Sequence, residues 1–171
     1  VEAVPTLEVA IDLHPADARA PYYLGNFWYA HRRYDEAIAC WERAAALDSD
    51  FPTVQRNLGL AYMNKCGDAQ AAQAAYERAF ALDPTDSRVL FELDQLDKQM
   101  GRAPVERLAR LEKCAELVDS RDDLTVERVL LHNALGQSDQ ALHILMNHTF
   151  HPWEGGEGKV AAQYVTSRIE L

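Results

Sequence analysis

The chain has 171 residues, of which 48% are hydrophobic, so it can bury a core as one or two domains. Its formal net charge of −10 argues against binding to nucleic acid, because contact with the phosphate backbone requires a basic face, and against binding to anionic membranes. Cys40, Cys66 and Cys114 are an odd number of widely spaced cysteines, which fits neither a disulfide framework nor a zinc site. No apolar run is long enough to span a membrane and no signal-peptide pattern opens the chain, so we predict a cytoplasmic protein.

The first predicted helix covers residues 3–13 and ends before Pro15, because proline cannot continue a helix. It has the pattern of the second helix of a pair whose first helix is missing. Since the chain also opens with Val1 rather than Met, we expect it to be a piece of a longer protein. No strand pattern is found, so the predicted fold class is all-α. Further helices are predicted near residues 17–30, 34–47, 51–65, 68–82, 86–100, 104–118, 122–135, 137–147 and 157–169.

The same residue types return at a nearly fixed interval in residues 18–84. Gly25 and Gly59 are 34 residues apart, whereas Ala37 and Ala72 are 35 apart, so one residue has been added near residues 65–67. A period of this length predicts an array of helical repeats. The first repeat carries Leu24, Gly25, Trp28, Ala37, Trp41 and Ala44, and the second carries Leu58, Gly59, Tyr62, Ala72, Tyr76 and Ala79.

This pattern resembles the tetratricopeptide repeat, in which pairs of antiparallel helices stack into a right-handed superhelix. The resemblance implies a single helical-repeat domain with half-repeats at residues 1–15 and 159–171 and a Gly-rich loop at 149–158. Complete repeats are expected at residues 16–49, 50–84, 85–119 and 120–148.

Small residues are expected where the two helices of a pair approach most closely. Gly25 and Gly59 should face the second helices of their pairs and let the helix axes come together. The third repeat departs from this pattern, because Asp94 replaces the small residue and Arg107 replaces an alanine. We therefore expect its two helices to pack less tightly.

In the tetratricopeptide family the first helices of the repeats line the concave surface of the superhelix. The residues carried over to this groove are basic and aromatic, which suits an acidic or carboxylate-ended peptide. The alternative is that these side chains are merely solvated. The predicted groove residues are Arg19, Tyr22, Asn26, Tyr29, Arg56, Asn57, Met63, Arg88, Phe91 and Lys98, with Leu60, Gln95, Val126, Leu130 and Asn133 at further matching positions.

Some members of the family hold the carboxylate of a chaperone tail with two lysines, two asparagines and an arginine. Asn26 and Asn57 match the two asparagines of this clamp, and Arg88 supplies one cation. Tyr22 replaces a lysine, however, and Glu92 places a negative charge where the arginine is needed. A carboxylate would be repelled by Glu92, which argues against a chaperone tail as the ligand.

Residues 150–158, with the sequence FHPWEGGEG, form the least generic stretch of the chain. They resemble a motif in bacterial proteins of largely unknown function, in which a repeat array follows a galactose-mutarotase-like carbohydrate domain. This resemblance covers about residues 120–171. Trp153 either anchors the loop on the neighbouring repeat or contacts a sugar or a protein partner.

No catalytic, cofactor or metal site is predicted. The glycines of the 150–158 stretch lack the Gly-Lys-Ser/Thr ending of a phosphate loop. His143, His148, His151 and Glu154 lack the i, i+4 spacing of a zinc-binding helix.

The predicted function is that of a non-catalytic scaffold that binds a protein or peptide segment in its groove, or another domain of the parent chain. The alternative is an accessory or assembly region of a larger carbohydrate-processing enzyme. The last predicted helix is amphipathic and has no partner helix after it, so an apolar side should stay exposed. Exposed half-repeats of this kind would allow homo-oligomers to form.

Overall fold

The computed structural model describes residues 3–152 and 156–169, and this part of the chain consists of helices and turns without a strand. The predicted all-α fold is confirmed. The chain divides into two compact units, Val1–Val89 and Leu90–Leu171. No helix in the described residues is both long enough and apolar enough to cross a lipid bilayer.

The N-terminal unit is a succession of helices in which each of the first five packs against its neighbours along the chain. Its core is built from small, aliphatic and aromatic side chains, among them Ala37, Trp41, Ala44, Val54 and Leu58. Its helices are α1 (Ala3–Leu13), α2 (Arg19–Ala30), α3 (Tyr34–Leu47), α4 (Pro52–Ala61) and α5 (Ala69–Leu82), and α6 (Ser87–Gln99) begins at its end.

The predicted close approach at the two glycines is confirmed. A Cβ atom at position 25 would lie 2.5 Å from Cδ1 of Trp41, and one at position 59 would lie 2.9 Å from the ring of Tyr76. Both aromatic rings are buried against the glycine of the preceding helix. The missing side chains therefore make the space in which the two rings pack.

The extra residue of the second repeat is found in a π-helical turn, Tyr62–Cys66, that extends α4. The amide of Asp68 donates to the carbonyl of Tyr62, six residues back, whereas the amide of Arg33 at the matching turn donates to Trp28, five residues back. One added residue thus widens a single turn of helix. Because the widening occurs at the end of α4, α5 keeps its packing against α4.

The C-terminal unit is centred on α9 (Asp122–Ala134), which contacts α7, α8, α10 and α11. This helix is buried on almost every side from Leu124 to Asn133. The other helices are α7 (Pro104–Lys113), α8 (Ala115–Asp119), α10 (Ser138–Asn147) and α11 (Gly156–Ile169). A single helix predicted over residues 104–118 is wrong, because the backbone at Cys114 (φ −116°, ψ 33°) separates α7 from α8.

Asp94 and Arg107 occupy facing positions where the first two repeats have small residues. The guanidinium of Arg107 donates to both carboxylate oxygens of Asp94, at 3.0 and 2.6 Å, and also to Glu127 at 3.1 Å. The side chains of Arg107 and Asp94 are 4% and 2% exposed. A buried ion pair thus takes the place of the small-residue contact, and the looser packing expected of these two helices stays a prediction.

The last helix, α11, packs against α9 and α10. Asn133 of α9 donates to Gln163, and the hydroxyl of Ser167 donates to Asn133 at 2.9 Å. On the other side of α11, Tyr164, Val165 and Ile169 are exposed. The prediction that this helix keeps an exposed apolar side is confirmed.

Candidate functional site

The predicted groove residues of the N-terminal unit lie on neighbouring first helices. Those of α2 follow the helical spacing i, i+3, i+7 and i+10, so they share one side of the helix. The amide nitrogen of Asn57 on α4 donates to the side-chain oxygen of Asn26 on α2 at 3.1 Å, and this hydrogen bond links the predicted groove residues of the two helices. We call this surface the α2–α4 face; it consists of Arg19, Tyr22, Asn26, Tyr29, Arg56, Asn57 and Met63.

A second hydrogen bond, from a residue of the core, holds the Asn26 side chain at the centre of the α2–α4 face. The indole nitrogen of Trp41 on α3 donates to the same Asn26 oxygen at 3.1 Å. Trp41 is only 2% exposed, so this donor is held rigidly by the core. The sequence analysis treated Trp41 only as a packing residue and did not predict this hydrogen bond. A buried indole N–H usually requires a hydrogen-bond partner, so the sequence contained a signal that Trp41 bonds to a polar group.

Aromatic rings flank the Asn26 amide on both sides. Tyr22 lies 4.8 Å from the ring of Phe51, which precedes α4, and Tyr29 lies 5.3 Å from Trp41 and 5.2 Å from Tyr34. Tyr22 and Tyr29 are half-buried, so part of each ring remains open to a partner. Phe51 was not predicted as part of the face, because it belongs to the turn before α4 rather than to a helix position of the repeat.

The positive charge on the predicted groove is balanced locally. Arg19 donates to both carboxylate oxygens of Asp17, and these hydrogen bonds lower the pKa of Asp17 to about 2. Arg88 forms the same pair with Asp86, two residues before it, at 3.0 Å. Both ion pairs lie at the start of the first helix of a repeat, α2 and α6 respectively. The arginines therefore add less net positive charge than the sequence suggested.

The predicted groove residues of the C-terminal unit contact other residues of that unit or are buried. Lys98 bonds to both oxygens of Glu127 at 3.1 Å, and the guanidinium of Arg121 lies 5.3 Å from the ring of Phe91. Asn133 and Val126 are buried, so their predicted place on an open groove is wrong; the side chain of Asn133 bonds to α11 instead. Trp153 lies outside the described residues.

The histidines near the end of the chain converge on one carboxylate. His148 Nε2 lies 2.7 Å from one oxygen of Asp122, and the backbone amide of His151 donates to the other at 2.7 Å. Burial raises the pKa of Asp122, but the hydrogen bonds from His148 and His151 outweigh it and hold the pKa below its usual value. Within the described residues, no group of three or more acidic, histidine or cysteine side chains is arranged to hold a metal ion.

A cavity of about 560 Å³, to which several charged and histidine side chains contribute, lies beside α9 in the C-terminal unit. Arg128 and His132 of α9 line it, and each is paired with a more exposed carboxylate, Asp119 and Glu112 respectively. The histidine also contacts Gln137, at 2.8 Å from Nδ1. Arg128 and His132 thus each have a carboxylate partner within the unit.

The N-terminal helix pairs match known repeat models. Residues 29–65 match a family model described as TPR repeat, and residues 57–86 match one described as tetratricopeptide repeat. Tetratricopeptide repeats are recognised here. Together the two models cover the second helix of the first pair and the whole of the second pair, the region in which the sequence period is clearest.

Two relatives share part of their sequence with this chain. Tetratricopeptide repeat protein 37 of Xenopus laevis is 29% identical over 120 residues, which is 67% of this chain and 8% of that protein. Cytochrome c-type biogenesis protein CycH of Rhizobium meliloti (strain 1021) is 34% identical over 106 residues, which is 61% of this chain and 28% of that protein. The chain therefore spans less than a third of the length of either relative. The association with a galactose-mutarotase-like domain stays a prediction.

Solved tetratricopeptide-repeat structures share the fold. YrrB, described as a TPR protein with an unusual peptide-binding site, superposes with a TM-score of 0.73 at 19% identity, covering 95% of this chain and 84% of that one. MamA superposes with a TM-score of 0.67 at 16% identity, covering 96% and 84%. At this level of identity the likeness shows the fold of tetratricopeptide-like helix pairs.

Proposed function

We propose that this chain is a non-catalytic interaction module that binds a protein segment on the α2–α4 face. The tetratricopeptide-like architecture is that of a scaffold for protein–protein interactions, and the YrrB structure, which has the same fold, is described as having a peptide-binding site. The segment belongs either to a separate protein or to another domain of a parent polypeptide.

The observation that carries this proposal is the hydrogen bonding of Asn26. Its side chain is held by Trp41 and by Asn57, at 3.1 Å each, so a polar group is fixed in place between two open aromatic rings. A site that is rigid before binding loses little conformational entropy when a partner docks. Tyr22 and Tyr29 supply contact area of low entropic cost beside it.

The test is a selection of short random peptides displayed on phage against the immobilised chain. Selected peptides should bind the Tyr22→Ala and Asn26→Ala variants at least about tenfold more weakly than the unaltered chain. Tyr164→Ala is the matched control, because Tyr164 is an exposed tyrosine of the C-terminal unit. Each variant is first checked for its melting temperature. Failure to select any peptide, or equal binding to all variants, would contradict the proposal.

A further inference from the structure

Arg128, which lines the cavity beside α9, has an incomplete ion pair. In the pairs that Arg19, Arg88 and Arg107 form with aspartates, Nε and Nη2 both donate to the carboxylate. In Arg128 only Nη2 donates, to Asp119. Its Nε is buried without a hydrogen-bond partner in the described part of the chain, and the side chain is only 8% exposed. An unpaired buried N–H costs free energy, and an acceptor from outside the chain would remove that cost.

Asp119 is a partner that a ligand can displace from Arg128. Its side chain is 53% exposed and it is the last residue of the short helix α8, so water can solvate its carboxylate once it leaves the guanidinium. A ligand carboxylate in its place can accept from Nε and Nη2 together, which is the paired arrangement that an arginine favours. The guanidinium therefore suits a carboxylate better than a single acceptor atom.

A second carboxylate of the cavity, that of Glu112, contacts His132 of α9. One of its oxygens lies 3.3 Å from Nε2 of the histidine, whose Nδ1 is engaged by Gln137. The other oxygen of Glu112 has no hydrogen-bond partner within the residues that the structure describes, and the side chain is 47% exposed. Because Arg128 and His132 are four residues apart, their positions along α9 differ by about 6 Å. An open acceptor thus lies about one turn of helix from the open donor.

The charges that line the cavity indicate which ligand fits. With the histidines neutral, these charges are the guanidinium of Arg128 and the carboxylates of Asp119 and Glu112. A simple anion would be repelled by Glu112, and a simple cation would leave the Nε of Arg128 without an acceptor. A ligand that carries a carboxylate and an ammonium group side by side satisfies both groups. The volume of about 560 Å³ is large enough for such a molecule and its side chain.

Helix α10 lines the rest of the cavity with side chains that carry no fixed charge. Gln140, His143, Ile144 and Asn147 follow the spacing i, i+3, i+4 and i+7, so they share one side of the helix. His148, the residue after the helix, also contributes. Amides and imidazoles can donate or accept, so these residues accommodate a polar side chain of the ligand. Recognition of the ligand charges is therefore left to α7, α8 and α9.

We infer that this cavity binds a free α-amino acid. The carboxylate of the amino acid takes the place of Asp119 on Nε and Nη2 of Arg128, and its ammonium group donates to Glu112. The site goes beyond the proposed function, because it lies within the C-terminal unit and is lined mainly by α7, α8 and α10, the second helices of the predicted repeats. It gives a chain that is proposed to bind a protein segment a separate small-molecule ligand.

The first test is isothermal titration calorimetry of the whole chain with each of the common free L-amino acids. At least one should bind with a Kd below about 1 mM. The N-acetyl derivative and the C-terminal amide of that amino acid should each bind at least about tenfold more weakly, because each lacks one of the two charges. Absence of binding by every amino acid would overturn the inference. Equal binding of either derivative would also overturn it, since the cavity would then recognise a single charge.

The role of Arg128 is tested with Arg128→Lys, which keeps the positive charge but cannot donate two parallel hydrogen bonds to a carboxylate. Binding of the amino acid should fall at least about tenfold in a variant whose melting temperature shows that it is folded. Arg110→Lys is the matched control, because Arg110 is a partly buried arginine of α7 that pairs with Asp97 and does not line the cavity. It should bind within about twofold of the unaltered chain. Equal affinities of the two variants would contradict the role of Arg128.

Two further substitutions separate the roles of the carboxylates. Glu112→Gln keeps an acceptor for His132 but removes the charge that holds the ammonium group, so binding should weaken at least about tenfold. Asp119→Asn weakens the residue that competes with the ligand for Arg128, so binding should strengthen about two- to tenfold. Glu116→Gln, at an exposed residue of α8 outside the cavity, is the control and should change binding less than about twofold. Changes of the same direction in Glu112→Gln and Asp119→Asn would overturn the inference, because the two carboxylates would then act alike.

Discussion

Gly25 sits against the indole ring of Trp41, and any side chain at this position would displace that ring. We predict that Gly25→Ala lowers the free energy of unfolding by about 1–3 kcal/mol, since the added methyl would lie 2.5 Å from the ring and the gain in helix propensity is smaller. Thermal or chemical denaturation measures the change.

Gly158 is the control for this substitution. It also lies in a helix, α11, and no atom would lie within 4 Å of its added Cβ. Gly158→Ala should therefore stabilise the chain slightly or leave it unchanged. A Gly25→Ala variant as stable as Gly158→Ala would show that the close approach at Trp41 is not needed.

Arg32 adopts the left-handed backbone conformation, with φ at +61°, in the turn between α2 and α3. The corresponding turns of the later helix pairs have Gly67, Gly101 and Gly136, with φ between +66° and +73°. We predict that Arg32→Gly raises the free energy of unfolding by about 0.5–1 kcal/mol, because glycine adopts this conformation without steric cost. Chemical denaturation of the variant beside Arg32→Ala, which also removes the arginine but keeps a Cβ atom, separates this effect from the loss of the side chain; a destabilised Arg32→Gly would contradict it.

Single residues explain where the candidate site departed from the sequence-based prediction. The small residues were predicted from their spacing, and the residues of the α2–α4 face were predicted from the resemblance to the tetratricopeptide repeat. The hydrogen bond from Trp41 to Asn26 was not, because it joins two helices through atoms that a packing pattern does not distinguish. The balance of Arg19 by Asp17 was also missed, although the two residues are only two positions apart.

At the scale of elements, α6 and α7 are held together by the buried pair of Asp94 and Arg107. We predict that Arg107→Ala lowers the free energy of unfolding by about 3–5 kcal/mol, because it leaves the buried carboxylate of Asp94 without its cationic partner and leaves Glu127 with Lys98 alone. The double variant Asp94→Gly, Arg107→Ala restores the small residues of the first two repeats. It should be less destabilised than the sum of the two single variants by more than about 1 kcal/mol.

The exposed pair of Arg33 and Glu36 is the control for this double-mutant cycle. The two side chains are 53% and 40% exposed, and we expect their coupling energy to be below about 1 kcal/mol. Equal coupling in the two cycles would contradict a special role for the buried pair. The sequence showed that Asp94 and Arg107 both replace small residues of the repeat, and each replacement was considered by itself as a loss of packing. The structure shows that the two side chains face each other, so that each charge is paired with the other.

The residues after α10 contact the start of α9 through hydrogen bonds from His148 and His151 to the carboxylate of Asp122. Because hydrogen bonds from His148 and His151 hold the pKa of Asp122 below its usual value, the contact stabilises the fold above the unfolded pKa, near 3.9, and this stability is lost as the pH falls through the lowered folded pKa. We predict that Asp122→Asn is about 1–3 kcal/mol less stable than the unaltered chain at neutral pH. The difference should shrink in acid unfolding measurements below pH 4.

Asp139, in the first turn of α10, is the control for the substitution, since its side chain is exposed. Asp139→Asn should change the free energy of unfolding at neutral pH by less than about 0.5 kcal/mol. A constant difference for Asp122→Asn across the same range would show that the histidine contacts do not depend on the charge of Asp122.

At the scale of the whole molecule, the order and limits of the helices were largely predictable. The 3.6-residue spacing and the breaks at proline and glycine predicted α3 at residues 34–47, as observed, and α5 to within one residue. The break at Cys114 was not predicted, because no glycine or proline marks it. The division into two compact units falls within α6, where Leu90, Leu93 and Leu96 continue the helical spacing without a sign of a boundary.

The π-helical turn has a practical consequence for following binding in solution. It places Cys66 at an exposed position three residues after Met63 of the α2–α4 face. Cys40 and Cys114 are partly enclosed, and burial raises the pKa of the Cys40 thiol, which makes it slower to react. A maleimide fluorophore should therefore attach first at Cys66, giving a reporter beside the proposed binding surface without any change to the sequence.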